Sequence, residues 1–270
     1  RDPDLSAARF LPAGVSASLL LALAEAAQRL NDTGQITCYN ATASTGTVSP
    51  STPDPETTGF NEQDCTRGAA AADALGRMVK IGGSTVPGRD YTKIANDGSV
   101  LPASAAFGTG PGDWGCTRDN VTGLIWELRP LLPVGLRFRG YGYTWYDANA
   151  AINGGNAGTI GTNVFCGGTL PNCNTTAYRN AINALTGSDR LCGATDWRLP
   201  TVGELSGLIH NQSAPAMDVT WFPDFTGQYW TGQNYASDAG RAWVVNFNVV
   251  LTSAFPKNGE LGLRLVRGGR

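Results

Sequence analysis

The chain has 270 residues, a formal net charge of −2, only 16% charged residues and 35 glycines. That length allows one large domain or two small ones. Lysine is confined to Lys80, Lys93 and Lys257 and there is no basic run, which excludes a field that would gather nucleic acid or an anionic membrane.

Taken in chain order, residues 1–14 read as extended, with Pro3 and Pro12. Residues 15–30, VSASLLLALAEAAQRL, resemble the apolar core of a signal peptide. They are too short, and too interrupted by Glu25, to span a membrane. Good helix formers predict a helix here, with Leu19, Leu20, Leu23, Ala27 and Leu30 as one stripe. Such a slim apolar helix is expected to pack as an N-terminal arm, on its own domain or on a neighbouring copy. NDTGQ at 31–35 is a turn, and the Thr/Ser/Pro/Gly-rich run 36–66 suits an irregular loop rather than a sheet. RGAAAADALGRMVK, 67–80, predicts a helix ending near Gly82 and Gly83, and DYTKIA, 90–95, a strand. AFGTGPGDWG, 106–115, is glycine-rich but lacks the Gly-Lys-Ser/Thr of a phosphate loop.

VTGLIWEL, 121–128, predicts a strand with Val121, Leu124 and Trp126 inward. TWYDANAAIN, 144–153, predicts a helix with Thr144 as N-cap and Asp147 completing a near capping box. A flexible loop follows at 153–163, then a helix over 174–185, with Ala177, Ala181 and Leu185 on one face and Tyr178 and Ile182 beside them. In LCGATDWRLPTVGELSGLIH, 191–210, Thr201 and Glu204 fit a capping box that opens a short helix. The tail predicts three strands: 227–232, 242–250 and 261–268. Two polar loops separate them, 233–241 and 251–260.

Six scattered cysteines with no C-x-x-C pair argue for disulfides and against zinc, and so for an oxidising compartment. Six cysteines admit about 15 pairings, among which the sequence does not choose. The working set is Cys38–Cys65, Cys116–Cys192 and Cys166–Cys173.

The ordered run DNVTGLIWE, YTWYDA, LCGATDWRLPTVGEL, YWTG, AWVVNF and LRLVRGG resembles the family named for the C-terminal domain of the Legionella collagen-like adhesin. Upstream, DTGQITCYN and DYTKI resemble its longer versions, so the likeness covers about residues 31–268. What the resemblance implies is an α+β, C-type-lectin-like fold, related to formylglycine-generating enzymes and to retroelement-diversified variable proteins. It also implies a bacterial surface or secreted protein and adhesion to sulfated polysaccharide. There is no collagen-like repeat, so that member's overall architecture does not carry over. The expected organisation is an arm at 1–34, an irregular disulfide-stapled part at 35–115 and a C-type-lectin-like core at 116–270, loop-rich, with short helices around a small antiparallel sheet.

Asp196 and Arg198 read as a structural bridge with hydrogen bonds, Trp197 as core, and Thr201 and Glu204 as helix-start chemistry. His210, the one histidine, has no accompanying nucleophile. No metal-ligand pattern and no calcium-lectin signature (Glu-Pro-Asn, Gln-Pro-Asp or Trp-Asn-Asp) is present, and no cofactor is expected. Contact with a ligand is placed instead on the tail loops, at Gln233, Asn234, Tyr235, Arg241, Lys257 and Asn258. The expected function is therefore a secreted, non-enzymatic surface protein, adhesin-like or the subunit of an extracellular assembly such as a filament. Its partners would be further copies of itself or an extracellular polysaccharide, with no nucleic acid and no membrane span. Two alternatives are a polysaccharide receptor with retroelement-diversified loops and an oxidase of the formylglycine-generating type, with Cys166 and Cys173 as its reactive pair.

Overall fold

Among the described residues, strands of two to seven residues and three short α-helices form, because glycine, proline and asparagine interrupt the apolar runs before they lengthen. The computed structural model describes residues 31–210 and 215–268. The expected helix at 15–30, with its stripe Leu19, Leu20, Leu23, Ala27 and Leu30, lies outside the described residues.

A hairpin of β1 (Thr37–Tyr39) and β2 (Ser44–Thr47) comes first. It corrects the reading of 36–66 as wholly irregular: Thr37 and Thr47 face each other and their hydroxyls hydrogen-bond, so two threonines serve as a strand pair. Helix α1 (Gly68–Ala74) stops well short of position 80, since Gly76 takes a positive φ of 69° just after it.

Five antiparallel strands form the larger sheet in the order β10-β6-β5-β3-β4. These are β3 (Tyr91–Ala95), β4 (Val100–Leu101), β5 (Trp114–Asp119), β6 (Leu124–Glu127) and β10 (Val266–Gly268). Strand β5 was not anticipated. Its first residues sit in a glycine-rich stretch, and only its pairing with β3 and β6 makes it a strand. The smaller sheet has the order β7 (Gln228–Asn234), β8 (Arg241–Asn246), β9 (Leu251–Pro256). Strand β9 corrects the reading of 251–260 as a loop: Leu251 to Pro256 pair in unbroken register with Asn246 to Arg241. Its Thr and Ser look loop-like in isolation but sit well on a pleated surface, and Pro256 is tolerated at the end of an edge strand.

Two apolar clusters flank the smaller sheet. Trp230, Ala242 and Val244 join one, and Tyr229, Val245 and Phe247 join the other. Hence Val244 and Val245 are both buried, and the simple inward/outward alternation expected for 242–250 fails. Trp126, Trp145, Trp197 and Trp230 are fully buried, and an aromatic of this size covers roughly 150–250 Å² of surface. At roughly 25 cal/mol per Å², that gives about 4–6 kcal/mol of apolar driving force each.

The segment 144–153 is not helical, a further correction. Tyr143 bridges Leu261, Thr144 bridges Asn174 and Tyr146 bridges Gly158. Asp147 Oδ1 accepts the N–H of Asn149, and Asn149 Oδ1 that of Ala151. These short side-chain-to-backbone turns compete with a helix and win. Helix α2 (Thr175–Asn183) does form, with Asn174 Oδ1 capping the N–H of Ala177 at 2.8 Å. Its fully buried pair is Tyr178 and Ile182, one turn apart, while Ala177 and Ala181 are half-buried.

The cysteines are joined as Cys38–Cys65, Cys116–Cys192 and Cys166–Cys173. The second ties β5 to the turn at 191–193, and the first forms a small cluster of its own with Val48. The whole is a disulfide-stapled α+β domain of short helices and small antiparallel sheets.

Candidate binding surface

The strip 191–210 is framework. Arg198 N–H and C=O exchange hydrogen bonds with Val266, which extends the larger sheet beyond β10. The guanidinium of Arg198 grips Glu204 with two bonds of 2.7 and 2.6 Å. Asp196 pairs elsewhere, with Arg267 at 2.6 Å. The expected bridge between Asp196 and Arg198 is thus replaced by two separate pairs, Arg198–Glu204 and Asp196–Arg267. Trp197 is buried; its indole donates to Leu191 O, and Asn183 brackets its backbone N–H and C=O.

Helix α3 (Val202–Ser206) carries the full capping box: Thr201 Oγ1 accepts from Glu204 N–H, and Glu204 Oε2 accepts from Thr201 N–H at 2.8 Å. Burial pushes the Glu204 carboxyl up, but the Arg198 and Thr201 hydrogen bonds outweigh it and hold the pKa below its ordinary value. Asp196 is held low chiefly by its hydrogen bond from Arg267. At the far end, buried Arg89 donates to the carbonyls of Gly207 and Ile209. His210 is buried beside this point, and desolvation, with the charge of Arg89 adding, lowers its pKa.

A second charged group was invisible in the sequence. Arg264, fully buried, donates to Asp224 at 2.8 Å and to the carbonyl of Glu127. Arg129 donates to Phe138 O and the Tyr143 hydroxyl, and Glu127 accepts from the Tyr178 hydroxyl and from Leu265 N–H. These groups are buried in the core, where they cross-link strands. Among the described residues no group of three or more His, Cys, Asp or Glu could hold a metal ion.

Five of the six expected contact residues gather around one hairpin end. Tyr235 N–H donates to Arg241 O, Arg241 N–H to Asp238 O, and Gly240 N–H to Asp238 Oδ1, closing the β7–β8 loop. Arg241 is exposed and pairs with Asp238 at 3.1 Å. Lys257 N–H donates to Gly240 O at 2.9 Å, which brings the turn after β9, with exposed Asn258, against this loop. Gln233 Oε1 accepts the N–H of Val202 at 2.6 Å, so its amide helps to cap α3. Asn234 lies over Gly154, where a Cβ would come within 2.1 Å of its Nδ2. A depression of about 510 Å³ opens between Ala150–Gly154 and Gly232–Ala236.

Lys257 itself is a correction: it is 2% exposed and points inward. Its ammonium donates to the carbonyls of Asn153 (2.9 Å) and Asn156 (2.6 Å) and lies 4.2 Å from the Trp145 ring centroid. Burial lowers its pKa. It is a pin beneath the loops, unavailable to a ligand. Trp243, which shares its strand parity with Val245 and Phe247, is half-buried at the surface and meets Tyr235 edge-on at 5.0 Å. With both faces of the sheet covered, parity carried no signal that could have separated Trp243 from its neighbours.

Frame and surface together define a disulfide-stapled domain whose loops are held from below by buried side chains. The family model described as the Lcl C-terminal domain matches residues 115–267, more than half of the chain, and the protein belongs to that family. It is an adhesin-related family rather than a family of enzymes. A comparison with curated proteins finds no match to the chain. No helix among the described residues is long and apolar enough to cross a membrane.

Proposed function

We propose that the protein is a secreted, non-enzymatic binding protein of the bacterial surface, adhesin-like, and that it makes contact through the β7–β8 hairpin end. The observation that carries this is the aromatic pair Tyr235–Trp243, half-exposed where β7 and β8 meet at the hairpin end that the Lys257 N–H holds through Gly240 O. A flat aromatic edge beside amides and a guanidinium suits an extracellular polysaccharide, which needs stacking and hydrogen bonding at small entropic cost. Three disulfides fit the oxidising exterior.

The test is retention of immobilised polysaccharides by the wild type and by Tyr235→Ala and Trp243→Ala, with melting temperature as control. Binding lost at least tenfold with melting unchanged supports the reading, and unaltered binding in both variants ends it. A second reading, a subunit of an extracellular assembly, is favoured by β9, which has no strand on its outer edge among the described residues. Exposed Val249, Val250 and Leu251 lie at its start. Light scattering that gives a monomer mass at all concentrations removes it.

A further inference from the structure

A different cavity, about 320 Å³, opens where the chain around residue 140 meets the chain around residue 261. Its lining includes Arg139, Tyr141, Gln228, Asn248 and Glu260. Three glycines, Gly140, Gly142 and Gly262, complete it. A Cβ on Gly142 would stand 3.2 Å from Glu260 Cβ, and one on Gly262 would stand 2.7 Å from Gln228 O, so the walls approach as closely as bare backbone permits.

The polar groups there are unengaged. Arg139 makes one bond, from Nη1 to Pro223 O at 3.3 Å, and no ion pair. The side chains of Glu260, Gln228 and Asn248 and the Tyr141 hydroxyl have no hydrogen-bond or ion-pair partner among the described residues. Elsewhere in this chain unlike charges that share a neighbourhood close into pairs, as at Arg198–Glu204 and Arg264–Asp224. Here Arg139 and Glu260 line one cavity without closing into an ion pair. Tyr143 and Leu261 exchange two hydrogen bonds (3.0 and 3.2 Å), and Trp230 N–H donates to Gly262 O at 3.1 Å. These bonds fix the backbone of the two segments that carry the charges.

We infer that this cavity binds a zwitterion of amino-acid to dipeptide size, its carboxylate on Arg139 and its ammonium on Glu260. The planar guanidinium matches a carboxylate, and the amides of Gln228 and Asn248 offer a donor and an acceptor to a peptide group between the ends. A simple anion would meet Glu260 and a simple cation would meet Arg139, each a repulsion. A neutral sugar would desolvate both charges and pair neither. The inference shares no side chain with the Tyr235–Trp243 surface and does not depend on it.

The test is a titration of isotope-labelled protein at pH 7 with L-alanyl-L-alanine, N-acetyl-alanyl-alanine and alanyl-alanine amide, read at the backbone amides of Gly140, Gly142 and Gly262. The expected result is saturation by the free dipeptide in the millimolar range or below, with each capped peptide at least tenfold weaker. Arg139→Gln and Glu260→Gln should each weaken the free dipeptide tenfold, and in Glu260→Gln the free and N-acetylated peptides should bind alike. Both side chains are at the surface, so melting temperatures should match the wild type. Tyr235→Ala should leave the titration unchanged, which separates this result from that of the polysaccharide test. Shifts that never saturate, equal shifts from free and capped peptides, or indifference to both substitutions would overturn the inference.

Discussion

Val250 holds φ at +52° in the turn between β8 and β9, a conformation that suits glycine or asparagine and crowds a β-branched side chain. Its side chain is half exposed, so the strain has little burial to set against it. Such a residue costs about 1–2 kcal/mol, and Val250→Asn should recover most of that. The expected outcome is a melting temperature raised by about 2–4 °C, read by calorimetry; a fall would mean that Val250 makes a contact worth more than its backbone strain. His210 makes a pH prediction. Burial and the Arg89 charge place its folded pKa below the unfolded value of 6.5. Below about pH 6.5 the unfolded chain therefore takes up a proton that the folded chain refuses. Stability should fall as pH drops from 6.5 through the folded pKa, and the carboxylates Glu204 and Asp196, both held low, add a loss as pH falls through their folded pKa values. Urea midpoints across pH 4–7 check this, and His210→Gln should flatten the first step.

At the scale of elements, the capping box of α3 is the clearest case of local chemistry deciding structure. Thr201→Ala removes one of its two reciprocal bonds and should cost about 1 kcal/mol, measured by denaturation. Thr201→Ser should cost far less. This box was legible in the sequence because its partners are three residues apart and need nothing from the rest of the chain. Helix α2 was legible from its own apolar spacing, and strand β3 from its own residue types, but the cap at Asn174 was not read. Strand β9 was not, since its strand character comes from pairing with β8 and not from its own residues. Residues 144–153 misled in the opposite direction: the helix signal at Thr144 and Asp147 was real, but the asparagines at 149 and 153 offered the backbone nearer partners. Arg264 and Lys257 show the firmest boundary. A charged residue in a loop or strand pattern reads as exposed, and only the distant Asp224, Glu127, Asn153 and Asn156 make burial tolerable. The turn within 233–241 was legible as a loop, whereas the surface position of Trp243 was not, because a sheet packed on both faces gives no parity.

For the molecule as a whole, the three disulfides constrain very different lengths of chain. Cys116–Cys192 spans 76 residues and Cys166–Cys173 spans 7. Chain-entropy arguments give about 4 kcal/mol for the first and about 2 kcal/mol for the second. Paired Cys→Ala variants, compared by guanidinium unfolding, should show that order, and the reverse order would mean that the short loop orders more of the fold than its length suggests. The long link matters further because it joins β5 of the larger sheet to the strip that feeds α3. The inserted ammonium of Lys257 has a last consequence. Since the clasp sits beneath the loops and meets the carbonyls of Asn153 and Asn156 and the ring of Trp145, the side chains of Ala236, Ser237, Ala239 and Asn258 are open to wholesale randomisation. A display library that varies those tips should keep its secretion yield, while one that varies Lys257 or Gly154 should lose it, making the protein a natural platform for selecting new specificities.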